Sequence, residues 1–398
     1  MSQLTFLCVS CEFKGVDFLK ACKACGNKVF LISAKETEPS PWPLDSIDEV
    51  FFLEEVHHGQ WNMEHFIAGM AWLMRSEKVD RVIALDDFDV EEVAELREHF
   101  RIPGMGQTTA RHFRDKLAMR MQAADHGLNV PAFTALFNDD AINAFADKVP
   151  PPYMVKPRFE AAAKGIRKVH GKDELWKVIN DLGEARHNYL AEAYKPGDIY
   201  HVDALTYQGK QVFVRASQYL ATPWEVAHGG GIFRSLICEE NSPDDKALRK
   251  FNSEVLKAFG LAYSASHTEF IKCHEDGRFY FLETSSRVGG AHLAEMIETA
   301  TGINLWAEWA RLEDAVAKKQ PYVLPKVKKD YAGIITSLAR QQHPDYRVFS
   351  DPEVAWTLDK DYHVSVIVKS PRRERVLELL DKYAGIIREE FHAALPMD

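Results

Sequence analysis

The sequence predicts a protein of mixed α/β and α+β class, with a parallel sheet first and antiparallel strands after it. Apolar strands alternate with amphipathic helices over residues 1–110, which is the pattern of an open parallel α/β domain. Two apolar strands flank the turn Asp276-Gly277 and predict an antiparallel hairpin. Residues 313–398 contain two strands and a long helix, which predicts a small α+β unit.

The N-terminal domain is expected to contain three main strands and the helices between them. The apolar periodicity predicts strands at 5–10, 28–33 and 80–85 and helices at 16–25, 61–76 and 90–99. Asp86 and Asp87 follow the third strand, at the sheet edge where such domains bind ligands, but they equally suit the start of the next helix. The sequence has no Gly-x-Gly-x-x-Gly or Walker pattern, so we expect no dinucleotide site.

Four cysteines have the spacing of a zinc site, namely Cys8-x-x-Cys11 and Cys22-x-x-Cys25. Cys22 and Cys25 stand three residues apart on a predicted helix, however, and Cys8 lies inside a predicted strand. Ligands fixed in regular elements would not converge on one ion. We therefore expect core cysteines without zinc, in a reducing compartment.

The composition is that of an ordinary globular protein and argues against several classes of partner. The 398 residues are 46% hydrophobic and carry a net charge of −10, which disfavours nucleic acid and anionic membranes. The N-terminus has no basic segment before a long apolar run, and no apolar stretch could span a bilayer. We expect a cytoplasmic protein that has small-molecule partners and forms a homodimer.

The central domain is predicted over residues 111–312 and begins with a helix at 109–126. Lys156 lies on a strand that Pro157 holds extended. The loop from Arg158 to Ile166 consists largely of small residues, so its backbone N–H groups can approach a phosphate closely. The same pattern also suits an ordinary turn.

The hairpin from His267 to Arg287 carries the clearest functional signal. A three-residue loop that ends in a left-handed Gly277 places Glu269 opposite Glu283, whereas a two-residue loop puts them on opposite faces. Directly opposed carboxylates destabilise a hairpin by up to ~1 kcal/mol, so we expect a cation between them. Mg²⁺ is suited to such a site, because it takes one or two carboxylates and completes its shell from water and phosphates. A solvated hairpin is the alternative, but the flanking residues are mostly apolar.

Two glycine-rich segments are candidate substrate contacts. The first carries His228, Gly230 and Arg234 and is either a loop that closes over a substrate or a flexible hairpin tip. The second, with Gly290 and His292, opens a predicted helix whose free N–H groups can bind an anion. His292 also suits a capping or packing role.

In order along the chain, these features resemble the ATP-grasp superfamily, especially its carboxylate-amine ligases and the related ATP-binding regions of biotin carboxylase and carbamoyl phosphate synthetase. The resemblance covers residues 1–312 and rests on five features in the expected order. They are the parallel α/β domain, Asp115-Lys116, Val155-Lys156-Pro157 with its loop, the segment from Leu190 to Gly197, and the two glutamates. It implies an ATP-grasp fold with an N-terminal α/β pre-domain and a hinge near 190–197, and the pattern of strands and helix in residues 313–398 suits a small α+β lid.

The resemblance implies an ATP site with two lysines that contact the phosphates and the adenine side, a flap over the phosphates and a hinge that reads the adenine. In this chain the corresponding residues are Lys116, Lys156, Ala163, Lys164, Gly165, Glu192, Ala193, Tyr194, Lys195 and Asp198. D-alanine ligases hold an acidic residue for the ribose at the position of Ile199. Asp198 or Asp203 would have to substitute for that residue, or nothing does.

The resemblance also implies the metal ligands and the reaction. Glu269 and Glu283 correspond to the Mg²⁺ ligands, with Mn²⁺ as an alternative ion, and Arg287 corresponds to the arginine that stabilises an acyl phosphate beside Lys156. Ser285 stands where other members carry an amide ligand, and it offers only a hydroxyl or leaves the position to water. The implied activity is ATP-dependent ligation of a small carboxylate, such as an amino acid, to an amine. A bicarbonate-activating carboxylase and a non-catalytic ATP-binding module are the alternatives.

Overall fold

The computed structural model describes residues 3–393, except 162, 223, 225 and 227–229. The strands are β1 (Thr5–Ser10), β2 (Lys28–Ala34), β3 (Glu49–Leu53), β4 (Arg81–Ala84), β5 (Phe133–Ala135), β6 (Tyr153–Pro157), β7 (Arg167–Val169), β8 (Tyr189–Ala193), β9 (Gly197–Tyr207), β10 (Lys210–Tyr219), β11 (Phe233–Ile237), β12 (Tyr263–Cys273), β13 (Phe279–Ser285), β14 (Tyr331–Leu338), β15 (Val354–Thr357) and β16 (His363–Ser370). The α-helices are α1 (Val16–Ala24), α2 (Met63–Leu73), α3 (Val90–Phe100), α4 (Gln107–Arg111), α5 (Lys116–Asp125), α6 (Asp139–Lys148), α7 (Lys172–Leu182), α8 (Pro243–Ala258), α9 (Leu293–Thr301), α10 (Leu305–Ala317) and α11 (Arg373–Ile386).

The N-terminal sheet is parallel, as predicted, with the strand order β3-β2-β1-β4. Its central strand β1 is buried on both faces, because Leu7 and Val9 belong to one core cluster while Phe6 and Cys8 belong to another. A strand covered on both faces reads as an unbroken apolar run, which explains why its sequence does not alternate.

The single helix predicted at 109–126 is wrong, because the chain forms α4 and α5 with a break between them. At the break Asp115 is extended, and its carboxylate accepts a hydrogen bond from the Leu117 N–H at 2.9 Å. Arg158 Nε also donates to this carboxylate at 2.9 Å. Asp115 therefore caps α5, and the cap fixes the position of Lys116 in the first turn.

The central sheet is antiparallel and has eight strands in the order β13-β12-β9-β10-β11-β14-β16-β15. The three C-terminal strands extend this sheet through the pairing of β11 with β14, and α11 packs against β14 and β16. The C-terminal α+β unit therefore covers one edge of the central sheet, and Leu379, Leu380 and Tyr383 of α11 are buried in the core there.

A third sheet, with the order β5-β8-β6-β7, has its own apolar core. The chain leaves this sheet at Ala193, at the end of β8, and enters the central sheet at Gly197, at the start of β9. The residues between these two strands are the connection between the two sheets. Over the described residues, the chain contains no helix long and apolar enough to cross a membrane.

Candidate active site

Glu269 of β12 lies opposite Glu283 of β13, as the sequence predicted, but through a different register. The predicted three-residue loop is wrong, because Cys273 rather than His274 pairs with Arg278 and the turn has four residues. A β-bulge between Phe281 and Glu283 inserts one extra residue, Leu282, and restores the opposed glutamates. The longer turn and the bulge compensate for each other, so the predicted pair of carboxylates is confirmed.

The bulge exposes a backbone carbonyl that Arg120 of α5 binds. Arg120 NH1 donates to the Leu282 carbonyl oxygen, and its Nε donates to Glu192 Oε2 at 2.9 Å. The arginine side chain is 1% exposed. It therefore connects helix α5, the third sheet and the strand of Glu283 through one buried guanidinium group.

Glu192 of β8 lies between Arg120 and Lys156 of β6, and Lys156 Nζ forms an ion pair with it. Burial would raise the pKa of Glu192, but the charges of Arg120 and Lys156 outweigh burial and lower it. The Glu192 carboxylate is thus ionised and already paired on both sides. The structure therefore places this predicted adenine contact in a buried ion-pair group.

Glu283 is paired with Lys116, whose Nζ lies 2.8 Å from Glu283 Oε2 and donates to the Glu160 carbonyl oxygen at 2.6 Å. Burial opposes ionisation, but Lys116 lowers the pKa of Glu283 to about 2. Because Arg120 contacts both Glu192 and the Leu282 carbonyl next to Glu283, the two predicted lysines lie in one connected region. Lys116 contacts the Glu283 side of it, and Lys156 contacts the Glu192 side.

Glu269 has different partners from Glu283. Tyr219 of β10 donates its hydroxyl to Glu269 Oε1 at 3.0 Å, and His267 Nε2 lies 3.8 Å from the same oxygen. Tyr219 is 6% exposed, and its ring packs on the ring of His201 with a centroid distance of 4.7 Å. Glu269 is therefore held by a buried hydroxyl and an imidazole.

A buried polar chain continues from His267 into the central sheet. His267 Nδ1 lies 2.8 Å from Asp203 Oδ1, His201 Nδ1 lies 2.7 Å from Asp203 Oδ2, and His201 Nε2 lies 2.7 Å from Ser235 Oγ. Burial opposes the charge of His267, but Asp203 and Glu269 raise its pKa to about 10. Burial also opposes ionisation of Asp203, and both histidines lower its pKa. Asp203 is fully buried, so the structure does not present it to a ribose.

This polar chain was not predicted from the sequence, although its signal is visible there. His201 and Asp203 are two residues apart on β9, and His267 and Glu269 are two residues apart on β12, so each pair lies on one face of its strand. The register then sets Asp203 beside His267 and His201 beside Glu269. Polar residues at a spacing of two inside otherwise apolar strands would have indicated a polar face.

Arg287 connects the hairpin that carries Glu269 and Glu283 to the N-terminal domain. Its NH2 forms an ion pair with Asp87, and its NH1 donates to the Val288 carbonyl oxygen at 2.7 Å. Arg287 Nε and Asp87 Oδ1 are buried without a hydrogen-bond partner among the described residues. Asp86 beside it pairs with Lys14. Asp87 therefore faces the candidate site, and two of the polar atoms in this pair remain available to a ligand.

The residues around Glu269 and Glu283 fit a hard divalent cation. Their carboxylates oppose each other across the hairpin, and oxygen donors of this kind suit Mg²⁺. Ser285 lies two residues beyond Glu283 and is 7% exposed, and its Oγ has no partner among the described residues. The Ser285 hydroxyl is thus free to face a ligand or a metal-bound water on this side of the strand.

The predicted hinge residues have partners of their own. The Tyr194 ring lies under Lys168 Nζ at 3.6 Å from its centroid, and Lys195 Nζ lies 4.8 Å from the centroid of Tyr280. Asp198 is half exposed, and its Oδ2 is 3.2 Å from His274 Nε2. The Asp198 carboxylate therefore remains accessible, in contrast to that of Asp203.

The predicted flap begins after β6 and contains two residues with left-handed backbone. Ala163 has φ 59° and Gly165 has φ 70°, and Lys164 between them is exposed. Lys164 therefore projects from a loop with little support, whereas the strand holds Lys156.

The predicted substrate residues are spread over several places. His228 lies outside the described residues, and Gly230 has φ 61°. Arg234 is not brought to the site, because its NH1 pairs with Asp381 of α11 at 2.7 Å. Gly290 is exposed, and the His292 ring packs on Trp356 with a centroid distance of 4.9 Å. Of these residues, Gly290 and His292 lie within five residues of Arg287.

The chain has a distant relative of known activity. The L-arginine-specific L-amino acid ligase of Bacillus subtilis is 27% identical over 243 residues, which cover 60% of this chain and 58% of that ligase. The chain therefore spans less than two thirds of the length of this curated relative. No family model matches the chain.

Two solved structures share the fold. An L-amino acid ligase from Bacillus licheniformis has a TM-score of 0.74 at 18% identity, with 100% of both chains covered. The biotin carboxylase domain of the Hydrogenobacter thermophilus 2-oxoglutarate carboxylase, in complex with MgADP and bicarbonate, has a TM-score of 0.70 at 15% identity and covers 99% of this chain and 92% of that one. The predicted ATP-grasp fold is confirmed by these two likenesses.

Proposed function

We propose that this protein is an ATP- and Mg²⁺-dependent ligase that activates a small carboxylate as an acyl phosphate and joins it to an amine. The observation that carries the proposal is the opposed pair Glu269 and Glu283, with Lys116 against Glu283 and Arg287 four residues beyond it. Such a group combines ligands for a metal ion with cations for phosphate oxygens, which is what phosphoryl transfer requires.

The protein side chains are proposed to bind and orient the reactants. Lys116 and Lys156 contact phosphate oxygens of ATP, and Arg287 lies where the new acyl phosphate carries its charge. Glu269 and Glu283 would hold Mg²⁺, which when bound supplies positive charge beside the transferring phosphoryl group. No nucleophilic side chain takes part, because the substrate carboxylate itself attacks the γ-phosphorus and ADP leaves. The amine then displaces phosphate from the acyl carbon and loses a proton to give the amide.

The substrate class that we propose is an amino acid. Support comes from the names of the sequence relative and of one structural neighbour, both of which are L-amino acid ligases. The position of Asp86 and Asp87 also supports this proposal. Both residues lie at the carboxyl ends of β1 and β4, beside Arg287. A carboxylate such as Asp87 suits the ammonium group of an amino acid, and Arg287 suits the reacting carboxylate.

Mn²⁺ is the alternative ion in this proposal, since oxygen ligands also suit it. The reducing cytoplasm is the proposed compartment, because the six cysteines are free thiols in the structure. A homodimer is the proposed assembly, and sedimentation would test it.

Hydroxylamine provides the experiment that tests the proposal. This nucleophile captures acyl phosphates as hydroxamates, so the true amine need not be known. Pools of amino acids with ATP, Mg²⁺ and hydroxylamine are expected to yield a hydroxamate and ADP together. A wild-type protein that forms no hydroxamate from any pool would contradict the ligase proposal.

A bicarbonate-activating enzyme is the second candidate, favoured by the likeness to a biotin carboxylase domain in complex with bicarbonate. It predicts release of ADP that depends on bicarbonate when no amino acid is present. A non-catalytic ATP-binding module predicts nucleotide binding without hydrolysis in any mixture. The same assay, run with and without bicarbonate, separates the three functions.

A further inference from the structure

The proposed metal site has a side chain nearby that no other part of the mechanism uses. His267 lies on the same strand face as Glu269, two residues before it, and pairs across the hairpin with Ser285. The site would thus present Glu269 and Glu283 as one cross-strand pair and His267 and Ser285 as the next. All four side chains belong to the face of the sheet that carries the proposed chemistry.

Ser285 is a weak ligand for this position. Its hydroxyl is short, carries no charge and has no partner among the described residues. Two carboxylates alone leave most of the coordination shell to water and substrate. A further protein ligand on this side must come from a longer side chain, and His267 is the cross-strand neighbour of Ser285.

The geometry of His267 is that of an imidazole prepared for a metal. Its Nδ1 lies 2.8 Å from the buried Asp203 carboxylate, which can only accept a hydrogen bond and therefore fixes the proton on Nδ1. The other nitrogen, Nε2, lies 3.8 Å from Glu269 Oε1, and a cation bound there would replace the proton that Nε2 carries in the imidazolium form. Histidine ligands in proteins commonly give their second ring N–H to a carboxylate, which fixes the tautomer and strengthens the ligand.

The surroundings keep this arrangement in place. His201 and Ser235 anchor the second oxygen of Asp203, so the carboxylate cannot rotate freely. Gly289 passes close to the pair, and a Cβ there would lie 2.8 Å from both Asp203 Oδ1 and His267 Nδ1. The backbone after Arg287 can therefore approach the Asp203–His267 pair only because residue 289 has no side chain.

We propose that His267 is a third protein ligand of the divalent cation held by Glu269 and Glu283, and that it replaces the amide ligand that Ser285 cannot supply. The inference rests on the proposed function, because that function requires a cation at these glutamates. An imidazole nitrogen favours transition metals over Mg²⁺. The site is therefore expected to prefer Mn²⁺ or Co²⁺ to Mg²⁺, and to bind these ions more tightly than two glutamates alone would.

Electron spin-echo spectroscopy of bound Mn²⁺ tests the inference without any turnover. The full-length protein is loaded with Mn²⁺ alone, and nitrogen modulation of the Mn²⁺ signal reports a directly bound imidazole. Labelling histidine with ¹⁵N assigns that modulation to histidine. We expect the wild type to show histidine nitrogen coupling, His267→Gln to lose it, and Ser285→Ala and His343→Asn to keep it, since His343 is on the surface and paired with Asp361.

Affinity gives a second readout. Calorimetry is expected to find Mn²⁺ bound roughly tenfold more weakly by His267→Gln, with a smaller loss for Mg²⁺. Asp203→Asn leaves the imidazole present but releases its orientation, so it should weaken the coupling and the affinity less than His267→Gln does. The wild-type spectrum decides the question even if a variant fails to fold.

The outcomes separate this inference from the proposed function. Mn²⁺ that binds to the wild type, is lost in Glu283→Gln and shows no histidine coupling would overturn the His267 ligand and leave the proposed metal site intact. Mn²⁺ that does not bind, or that binds equally well to Glu283→Gln, would overturn the proposed metal site as well.

Discussion

The two groups of charged side chains on the central sheet and on the third sheet have opposite balances of charge. On the central sheet, Glu269 and Glu283 face each other with Lys116 as the neighbouring cation. At the third sheet, Lys156 of β6 and Arg120 of α5 share the single carboxylate of Glu192. Carboxylates are in excess in the first group, and cations are in excess in the second.

This difference indicates how one nucleotide could satisfy both groups. A metal ion suits the carboxylates of the central sheet, and phosphate oxygens suit the cations of the third sheet. The Mg²⁺ complex of ATP carries both charges in one molecule. Each sheet is therefore expected to recognise a different part of the same ligand, and substitutions in the two groups should have distinguishable effects.

The largest effect is expected from the central sheet. Glu283→Gln should lower Mg²⁺-dependent turnover by about 10²–10³-fold, because it removes charge that stabilises the transition state through the metal. Glu269→Gln should have a smaller effect of the same kind. Turnover measured against Mg²⁺ concentration checks this, with the thermal unfolding midpoint as control. Near wild-type turnover in Glu283→Gln would show that the carboxylates do not hold the catalytic ion.

A substitution of Arg120 tests the connection between the two charged groups through the stability of the protein. Arg120→Met should destabilise the protein by about 3–5 kcal/mol, because it leaves Glu192 buried with Lys156 alone and removes the donor to the Leu282 carbonyl. Denaturant unfolding measures this loss. The exposed Arg111→Met is the matched control and should stay within about 0.5 kcal/mol of the wild type. Equal stability of both variants would remove Arg120 as the connection between the two groups.

A smaller effect is expected to distinguish Lys156 on strand β6 from Lys164 on the predicted flap. Lys156→Ala should weaken ATP binding by roughly tenfold, about 1.4 kcal/mol, and Lys164→Ala by less, because β6 holds Lys156 while Lys164 is exposed on a loop. Nucleotide calorimetry on the two variants gives the comparison. The opposite order of affinities would mean that the flap, rather than the third sheet, provides the main phosphate contact.

The last prediction concerns Asp89, a buried carboxyl that forms no ion pair among the described residues. It accepts hydrogen bonds from Trp61 and from the Cys11 N–H, and burial raises its pKa to about 8. The folded-state pKa is above the unfolded value, so the folded state holds the proton more tightly. The stability contributed by Asp89 is therefore full below about pH 4 and is lost as the pH rises to about 8.

Asp89→Asn removes this titration. Relative to the variant, the wild type should lose up to about 1.4 kcal/mol of stability per pH unit across that window. Urea unfolding at several pH values measures the difference. A difference that stays constant with pH would show that Asp89 is ionised at neutral pH in spite of its burial, and that a buried carboxylate here needs no cation.

The sequence predicted the elements whose apolar pattern is regular and missed features that depend on tertiary contacts. Strand β1 has the predicted bounds, and helix α9 begins after His292 as predicted, because each is a single buried run with clear ends. The break before α5 was missed because Asp115 fits a helix by local pattern, and Arg158, which fixes its carboxylate, lies on another segment of the chain.

In the candidate site, too, contacts between residues near in sequence were predicted and contacts between distant residues were missed. Glu269 and Glu283 could be predicted because a hairpin brings together residues close in sequence. The ion pair of Arg287 with Asp87 joins residues 200 positions apart, and the contact of Arg120 with Leu282 joins residues 162 positions apart. Pairs of this kind depend on how the domains pack, and local periodicity contains no information about them.

The bulge at Leu282 has a consequence for how this hairpin can change during evolution. The bulge shifts the pairing by one residue, from Phe270 with Phe281 to Glu269 with Glu283, so a chain that lacks Leu282 would hold the two glutamates opposite each other in a regular ladder. Loss of this one residue is therefore neutral for the carboxylate pair, although it changes the carbonyl that Arg120 binds. In an alignment of homologues, a one-residue gap between the two glutamates belongs at Leu282, where the carboxylate pair remains matched.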